Sequence, residues 1–404
     1  MSNALLNSPL QGVRILDLTT VVYGPYATRI LASLGATVIK LESLDGDILR
    51  HIGPMRNPGM GHLFLHANEG KQSLALNLKT EAGRDIAQAL SQTCDVFISN
   101  IRPQALARLG LDADTLRALH PRLIHVSCTG YGESGPYAGR PAYDDLIQGA
   151  SGVGQLMATY LQGEPAYAPV TLADRVSGLH AVYAVTTALF ARSQTGQGQT
   201  IDVTMFEAVS QLVLGDHMGG ATFVPPHGEV GYPRMVSRSR KPYRTRDGYL
   251  CALIYNDRQW KDFFTALGTP ERAQEPLFLN HTARAANIDR VYAEVERLLA
   301  TRTTAEWQAL FDAADIPNMP AQSLEELVQD PHHWHNGFFR EVEHPTEGRL
   351  NMMGDATHWR DTPLVPQLAP APRLGEHSRQ VLESLGHSAE VIEAWKAQGV
   401  WAGD

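Results

Sequence analysis

Asp174 lies in the segment Pro169-Val170-Thr171-Leu172-Ala173-Asp174-Arg175-Val176-Ser177-Gly178, where a carboxylate opens an apolar helical run. Such a carboxylate has two readings. It can cap the helix by accepting backbone amides, which is the plainer reading on spacing alone. It can also attack an activated carbonyl as a nucleophile, a task for which a carboxylate needs no base. Five cations, Lys71, Lys79, Arg102, Arg108 and Arg140, fall near expected strand ends or loops in the first half of the chain. Such positions suit a phosphate-bearing ligand, although each taken alone reads as a solvated charge.

Other chemistries lack their residues. His332, His333 and His335 lie close together, but no HExxH or similar spacing accompanies them, so no metal site is expected. Cys94, Cys128 and Cys251 are widely spaced and form no CxxC. They read as three buried thiols in a reducing compartment rather than a disulfide framework or a zinc site. No GxSxG elbow is present, which disfavours a serine hydrolase. The first strand-to-helix turn, Thr19 through Pro25, holds a single glycine, and Pro25 lacks an amide. Glu42 sits where a dinucleotide fold places its ribose acid, but without the glycine fingerprint NAD binding is disfavoured.

The net charge of -9 argues against nucleic acid and anionic membrane as partners. The first residues lack a basic start followed by a long apolar run, and no uninterrupted apolar stretch reaches the ~18 residues of a membrane span. A cytoplasmic location is expected.

The elements that must position Asp174 follow from periodicity. Strands are expected over 13–18, 36–42, 95–99, 123–128 and 200–205, and helices over 25–34, 81–92, 103–109, 114–119, 143–157 and 174–192. This alternation predicts βαβ units and a parallel sheet. The stretch 217–246 is rich in Gly and Pro, carries six Lys or Arg, and reads as a linker. A strand over 248–255 and helices over 260–267, 288–300 and 304–313 predict a smaller α+β domain. A second Pro-rich linker is expected from 361 to 372, then a helical tail over 378–398. The expected division is 1–215 for a large Rossmann-like domain and 216–246 for a linker. The small domain takes 247–335, a second linker 336–372, and a return to the large domain 373–404.

Several segments together carry a resemblance. They are GVRILDLTTVVYGPYATRILASLGATVIKLES with Gly46-Asp47 and Arg50, then Asn68-Glu69-Gly70-Lys71-Gln72-Ser73 before the expected strand LALNLK, and Ser99-Asn100-Ile101-Arg102-Pro103. Further along stand Arg108-Leu109-Gly110-Leu111, Pro121-Arg122-Leu123-Ile124, Gly130-Tyr131-Gly132 through Gly135-Pro136-Tyr137, DGYLCAL, NDRQW and PAPRLGEHS. In this order, over nearly the whole chain, they resemble the class III CoA transferases, the family of formyl-CoA transferase and carnitine CoA transferase.

The resemblance implies a nucleophilic aspartate at Asp174 and coenzyme A thioesters as substrates, with no tightly bound cofactor. It implies CoA contacts at Val21, Val22, Tyr23, Leu76, Lys79, Asn100, Ile101, Arg108, Leu109 and Arg140, and an active-site tyrosine at Tyr143. Val22 stands where formyl-CoA transferase has a glutamine, which argues against formate or oxalate handling. That enzyme's run of consecutive glycines is represented only by Gly219-Gly220 and Gly228. The implied fold is a large Rossmann-like domain and a small domain joined by two linkers into a ring, two rings interlocking as a homodimer. The α-methylacyl-CoA racemases share that fold, but their histidine aligns near Tyr143, which argues for transfer. The basic 217–246 stretch suggests a second carboxylate on the acceptor, hence a small dicarboxylate with succinyl-CoA as donor.

Overall fold

The computed structural model describes residues 8–362, 364 and 367–403. Two compact units are present. The first comprises Met1–Gly154, Tyr167–Val213 and His332–Asp404, the second Gln155–Ala166 and Leu214–Pro331.

The first unit is built on six parallel strands: β1 (Arg14–Leu18), β2 (Thr37–Glu42), β3 (Lys71–Leu76), β4 (Val96–Ser99), β5 (Ile124–Thr129) and β6 (Thr200–Thr204). Their order across the sheet is β3-β2-β1-β4-β5-β6, all in parallel register, with Ile15 opposite both Val38 and Val96. The chain reverses its direction of travel across the sheet between β1 and β4. Because successive strand residues point to opposite faces, Ile15, Val38, Val96, Ile98 and Val126 pack on one side. Leu16, Ile39, Leu74 and Phe97 pack on the other. Near-continuous apolar runs are what a sheet covered on both faces requires.

The Tyr23–Ser33 and Leu172–Thr195 helices cover the first face. Gly178 lets them approach closely, since a Cβ there would meet the Tyr26 ring at 2.8 Å and the Tyr23 carbonyl at 3.1 Å. The Glu81–Ser91, Ser378–Ser384 and Ala389–Ala397 helices contribute to the second face.

The expected strands and helices of this half are present within about three residues, with informative exceptions. The strand read from LALNLK begins earlier, at Lys71, and ends at Leu76. The single helix expected over 143–157 is two, Asp144–Ala150 and Val153–Leu161, divided at Gly152 with φ +91°. A helix, Met205–His217, follows β6 directly. The helical tail is broken after Leu385, and Trp401–Ala402 adds an antiparallel strand to the free edge of β3. The stretch expected as a linker from 336 carries an antiparallel hairpin, Phe339–His344 with Gly348–Met353. Residues 363, 365 and 366 of the 361–372 linker lie outside the described residues, as do residues 1–7 at the N-terminus.

The second unit joins the Tyr243–Arg244, Tyr249–Ala252 and Asn318–Pro320 strands in one antiparallel sheet. Its core is aromatic, with Trp260, Phe263, Phe264, Phe278, Trp307 and Phe311 packed together. Cys94 and Cys128 are buried, whereas Cys251 is exposed, which corrects the expectation of three buried thiols. Cys251 alternates with buried Leu250 on its strand and takes the outer face.

Charged residues interrupt the parallel strands and are paired inside them. Lys71 donates to Asp17 at 3.1 Å, Lys40 to Asp47 at 2.9 Å, and Arg50 to Glu42 at 2.7 Å, all with buried side chains. Burial alone would raise the Asp17 carboxyl, but Lys71 and Lys40 outweigh it and hold its pKa below the usual value. Lys71 is therefore part of the sheet interior, not a cation offered to a phosphate. Among the described residues, no helix is long and apolar enough to cross a membrane.

Candidate active site

A cavity of about 410 Å³ opens at the carboxyl ends of β1, β4 and β5. Open parallel sheets bind ligands at this edge, where strand order reverses. Its walls come from the turn after β1 (Thr20, Val21, Tyr23), the residues after β4 (Asn100, Arg102), the end of β5 and its loop (Cys128 to Glu133), the segment from Ala138 to Tyr143, and Asp174. Gly130 is required here, because a Cβ would lie 2.0 Å from that of Ala142.

Asp174 is 8% exposed and occupies the first turn of the Leu172–Thr195 helix. It is not the cap. The N-cap is Thr171, with no side-chain bond, and the Asp174 carboxylate accepts no hydrogen bond from any described residue. Its backbone amide instead donates to Asp144 Oδ1 at 3.0 Å. The other Asp144 oxygen accepts from Gln148 Nε2 at 2.6 Å. Gln148 also accepts from the Ala168 amide and donates to the Val170 carbonyl, tying down the chain that leads into the helix. One acidic side chain and one buried glutamine thus fix where the helix starts.

Burial, and then the negative charge of Asp144, raise the Asp174 carboxyl to about 7, with Arg175 opposing them. The Arg175 guanidinium lies over the Tyr26 ring at 4.6 Å. Cys128 also lines the cavity, but burial pushes its thiol up to about 12. A thiol so disposed is not ionised near neutrality and is a poor nucleophile. Among the described residues, no cluster of three or more His, Cys, Asp or Glu is arranged to hold a metal.

Of the candidate site residues and cations singled out from the sequence, Val21, Tyr23, Asn100, Arg102, Arg140, Tyr143 and Asp174 line this cavity. Tyr143 is 68% exposed and leads into the Asp144–Ala150 helix. Tyr23 donates its hydroxyl to the Val203 carbonyl at 2.9 Å and is held against β6. Arg140 is exposed, its guanidinium 4.9 Å from the Tyr137 ring. Val22 is buried among Leu49, Met60 and Phe64 and does not line the cavity. Leu76 is buried in the core beneath the sheet edge. Lys79 follows β3, Ile101 follows β4, Arg108 and Leu109 end the Pro103–Leu109 helix, and all four lie outside the cavity lining.

The basic stretch 217–246 belongs to the second unit, and several of its cations have partners there. Arg234 donates to the Tyr292 hydroxyl, Lys241 pairs with Glu296, and Arg246 with Glu306.

Sequence reading gives Asp144, Gln148, Asp47 and Lys40 no role of their own. A signal existed for Lys40: a charge inside the apolar run Val38-Ile39-Lys40-Leu41 demands a buried partner. Asp144 carried only its adjacency to Tyr143.

Comparison with known proteins bears on this geometry. The chain is 33% identical over 397 residues to succinyl-CoA:glutarate CoA-transferase of Mus musculus, covering 97% of this chain and 90% of that protein. It is 31% identical over 417 residues to formyl-CoA:oxalate CoA-transferase of Escherichia coli, covering 97% and 99%. A solved CAIB/BAIF family protein from Brucella suis superposes with a TM-score of 0.79 at 30% identity, covering 94% of this chain and 100% of that one. The profile of CoA-transferase family III matches residues 10–378. The chain belongs to CoA-transferase family III, and it is an enzyme that transfers coenzyme A.

Proposed function

We propose that Asp174 is the nucleophile of a CoA transfer between carboxylic acids, with succinyl-CoA as donor and a small dicarboxylate as acceptor. The observation that carries this reading is a buried carboxylate, accepting no hydrogen bond from any described residue, in the wall of the cavity at the switch point of the sheet. In the first step a carboxylate oxygen of Asp174 bonds to the thioester carbonyl carbon, and the C–S bond breaks. This leaves an aspartyl mixed anhydride and CoA thiolate. The thiolate then attacks the aspartyl carbonyl, giving an aspartyl-CoA thioester and the free donor acid. The acceptor carboxylate attacks that thioester and expels the thiolate, which takes the acceptor's acyl carbon and regenerates Asp174. One thioester is consumed and one is made, provided water is kept out.

Val21, Tyr23, Asn100 and Arg140 are proposed to contact the pantetheine arm and its phosphates, and Tyr143 the acyl group. Lys79, Arg108, Leu76, Ile101 and Leu109 are proposed to continue the CoA site along the strand ends, with Val22 supporting the turn. The dicarboxylate assignment draws support from the names of the glutarate-using relatives in mouse and human. The same reading includes a cytosolic homodimer of interlocked rings, each made of the large and small domains and two linkers.

The test is a mass spectrum after incubation with succinyl-CoA and hydroxylamine. The expected product is a hydroxamate on Asp174. Asp174→Ala should lower turnover by about four orders of magnitude or more, as loss of a covalent nucleophile does. Unimpaired turnover in that variant would remove Asp174 from the reaction.

A further inference from the structure

The turn after β1 contains a residue in an unfavourable backbone state. Val21 has φ +68°, in the left-handed region that a β-branched side chain avoids. Such strain persists only where the surroundings over-determine it. Here three consecutive residues are gripped by side chains from elsewhere in the sheet. Lys40 Nζ, from β2, donates to the Thr19 carbonyl at 2.7 Å. Asn100, after β4, holds Thr20 at both ends, accepting from its amide at 3.0 Å and donating to its carbonyl at 2.9 Å. Asp47 Oδ1 accepts from the Val21 amide at 3.2 Å, while its other oxygen accepts from Lys40. Thr20, Val21 and Asn100 line the cavity that contains Asp174.

We infer that Asp47, Lys40 and Asn100 are positioning residues that hold the strained Val21 turn in the shape that receives the CoA thioester beside Asp174. The inference rests on the reading of this cavity as the acyl-CoA site. Asp47 is the member that grips Val21 itself. Without it, Val21 is free to return to an extended conformation, which redirects the chain entering the Tyr23–Ser33 helix and reshapes the wall. Asn100 spends both ends of its amide on Thr20, so beside the CoA contact proposed above it sets the shape of the turn.

Asp47 also caps the Ile48–His51 turn through the Leu49 amide. A role limited to that cap would change stability and leave ligand affinity alone. The experiment therefore compares Asp47→Ala with Asp47→Ala combined with Val21→Gly. It measures the Kd for coenzyme A by calorimetry and the KM and kcat for succinyl-CoA. The single variant should raise Kd and KM about tenfold, the scale of one strained residue, with kcat changed less. Glycine tolerates the left-handed state, so the double variant should recover about threefold of that loss.

A wild-type Kd and KM in Asp47→Ala would overturn the inference, and so would a loss that glycine at position 21 does not relieve. If Asp47→Ala does not fold, Asn100→Ala with and without Val21→Gly decides: a Kd for coenzyme A raised about threefold and relieved by the glycine supports the clamp, and an unchanged Kd, or a rise that the glycine does not relieve, overturns it. A wild-type protein that binds no coenzyme A and forms no Asp174 adduct would instead sink the reading of the cavity itself.

Discussion

Asp17 and Asp174 are both aspartates at the edge of the same sheet, 0% and 8% exposed, and the fold treats them in opposite ways. The Asp17 carboxylate accepts from the Thr19 amide, the Thr19 and Thr28 hydroxyls, and the Lys71 ammonium. The Asp174 carboxylate has no such donors among the described residues, and its largest charged influence after burial is another acid, Asp144. Burial raises a carboxyl pKa in both places. At Asp17 two lysines reverse it, and at Asp174 Arg175 reverses only part of it. Burial is therefore a poor guide to what a carboxylate does. The donors around it separate a group that builds the sheet from one left free to react.

The comparison can be broken most forcefully at Asp17. Asp17→Ala leaves the Lys71 ammonium buried without its carboxylate, and should cost about 3–5 kcal/mol in urea unfolding. A small loss there would mean that the ion network is not what holds β1 to β3.

At Asp174 the expectation reverses. An acid whose folded pKa is raised to about 7 from 3.8 destabilises the fold when ionised. The penalty is absent below the unfolded value, grows as pH rises between the two, and is complete above the folded one. Asp174→Asn should therefore raise stability by about 2 kcal/mol at pH ~8 and by little at pH ~4, in thermal melts at both values. Equal effects at the two pH values would contradict an ionisation origin.

The smallest expected effect concerns the charge of Asp144. The ionised Asp174 is the attacking form, so kcat/KM should climb toward pH ~7 and then level. Asp144→Asn keeps an acceptor for the Asp174 amide but removes a negative charge. It should move the acid limb down by about half to one pH unit, read from a pH–rate profile. An unmoved limb would mean that Asp144 does not set the raised pKa, which burial then dominates.

Much of this fold is legible in the sequence. The apolar runs at 13–18, 36–42 and 123–128 are long enough to read alone, and the glycine at 196 ends the Leu172–Thr195 helix in a left-handed cap. The Trp401–Ala402 strand was not readable, because two residues carry no period and only the open edge of β3 makes them a strand. The split at Gly152 escaped because apolar spacing continues through it. The Met205–His217 helix abuts β6 with no punctuation between them. In the site, Asp174 was found through the segments that resemble a family, since its own spacing favoured a cap. Lys71 reads from the sequence as available to phosphate, because a lysine after Gly70 at a strand start looks exposed until β3 is assembled into the sheet with β1 and its Asp17.

What the sequence determined by itself was local: strand and helix periods, the turns that end them, and the order of parallel segments that brings 19–23, 99–101 and 129–133 to one edge. These depend on side-chain alternation and backbone preference within a few residues. The tertiary structure decided the state of each charge and each strained bond. Lys40, Asp47 and Asn100 reach the Thr19–Val21 turn from distant positions, and Asp144 reaches Asp174 across thirty residues of chain. Electrostatics and hydrogen bonding act through space, so the partners that set reactivity exist only once the sheet has assembled.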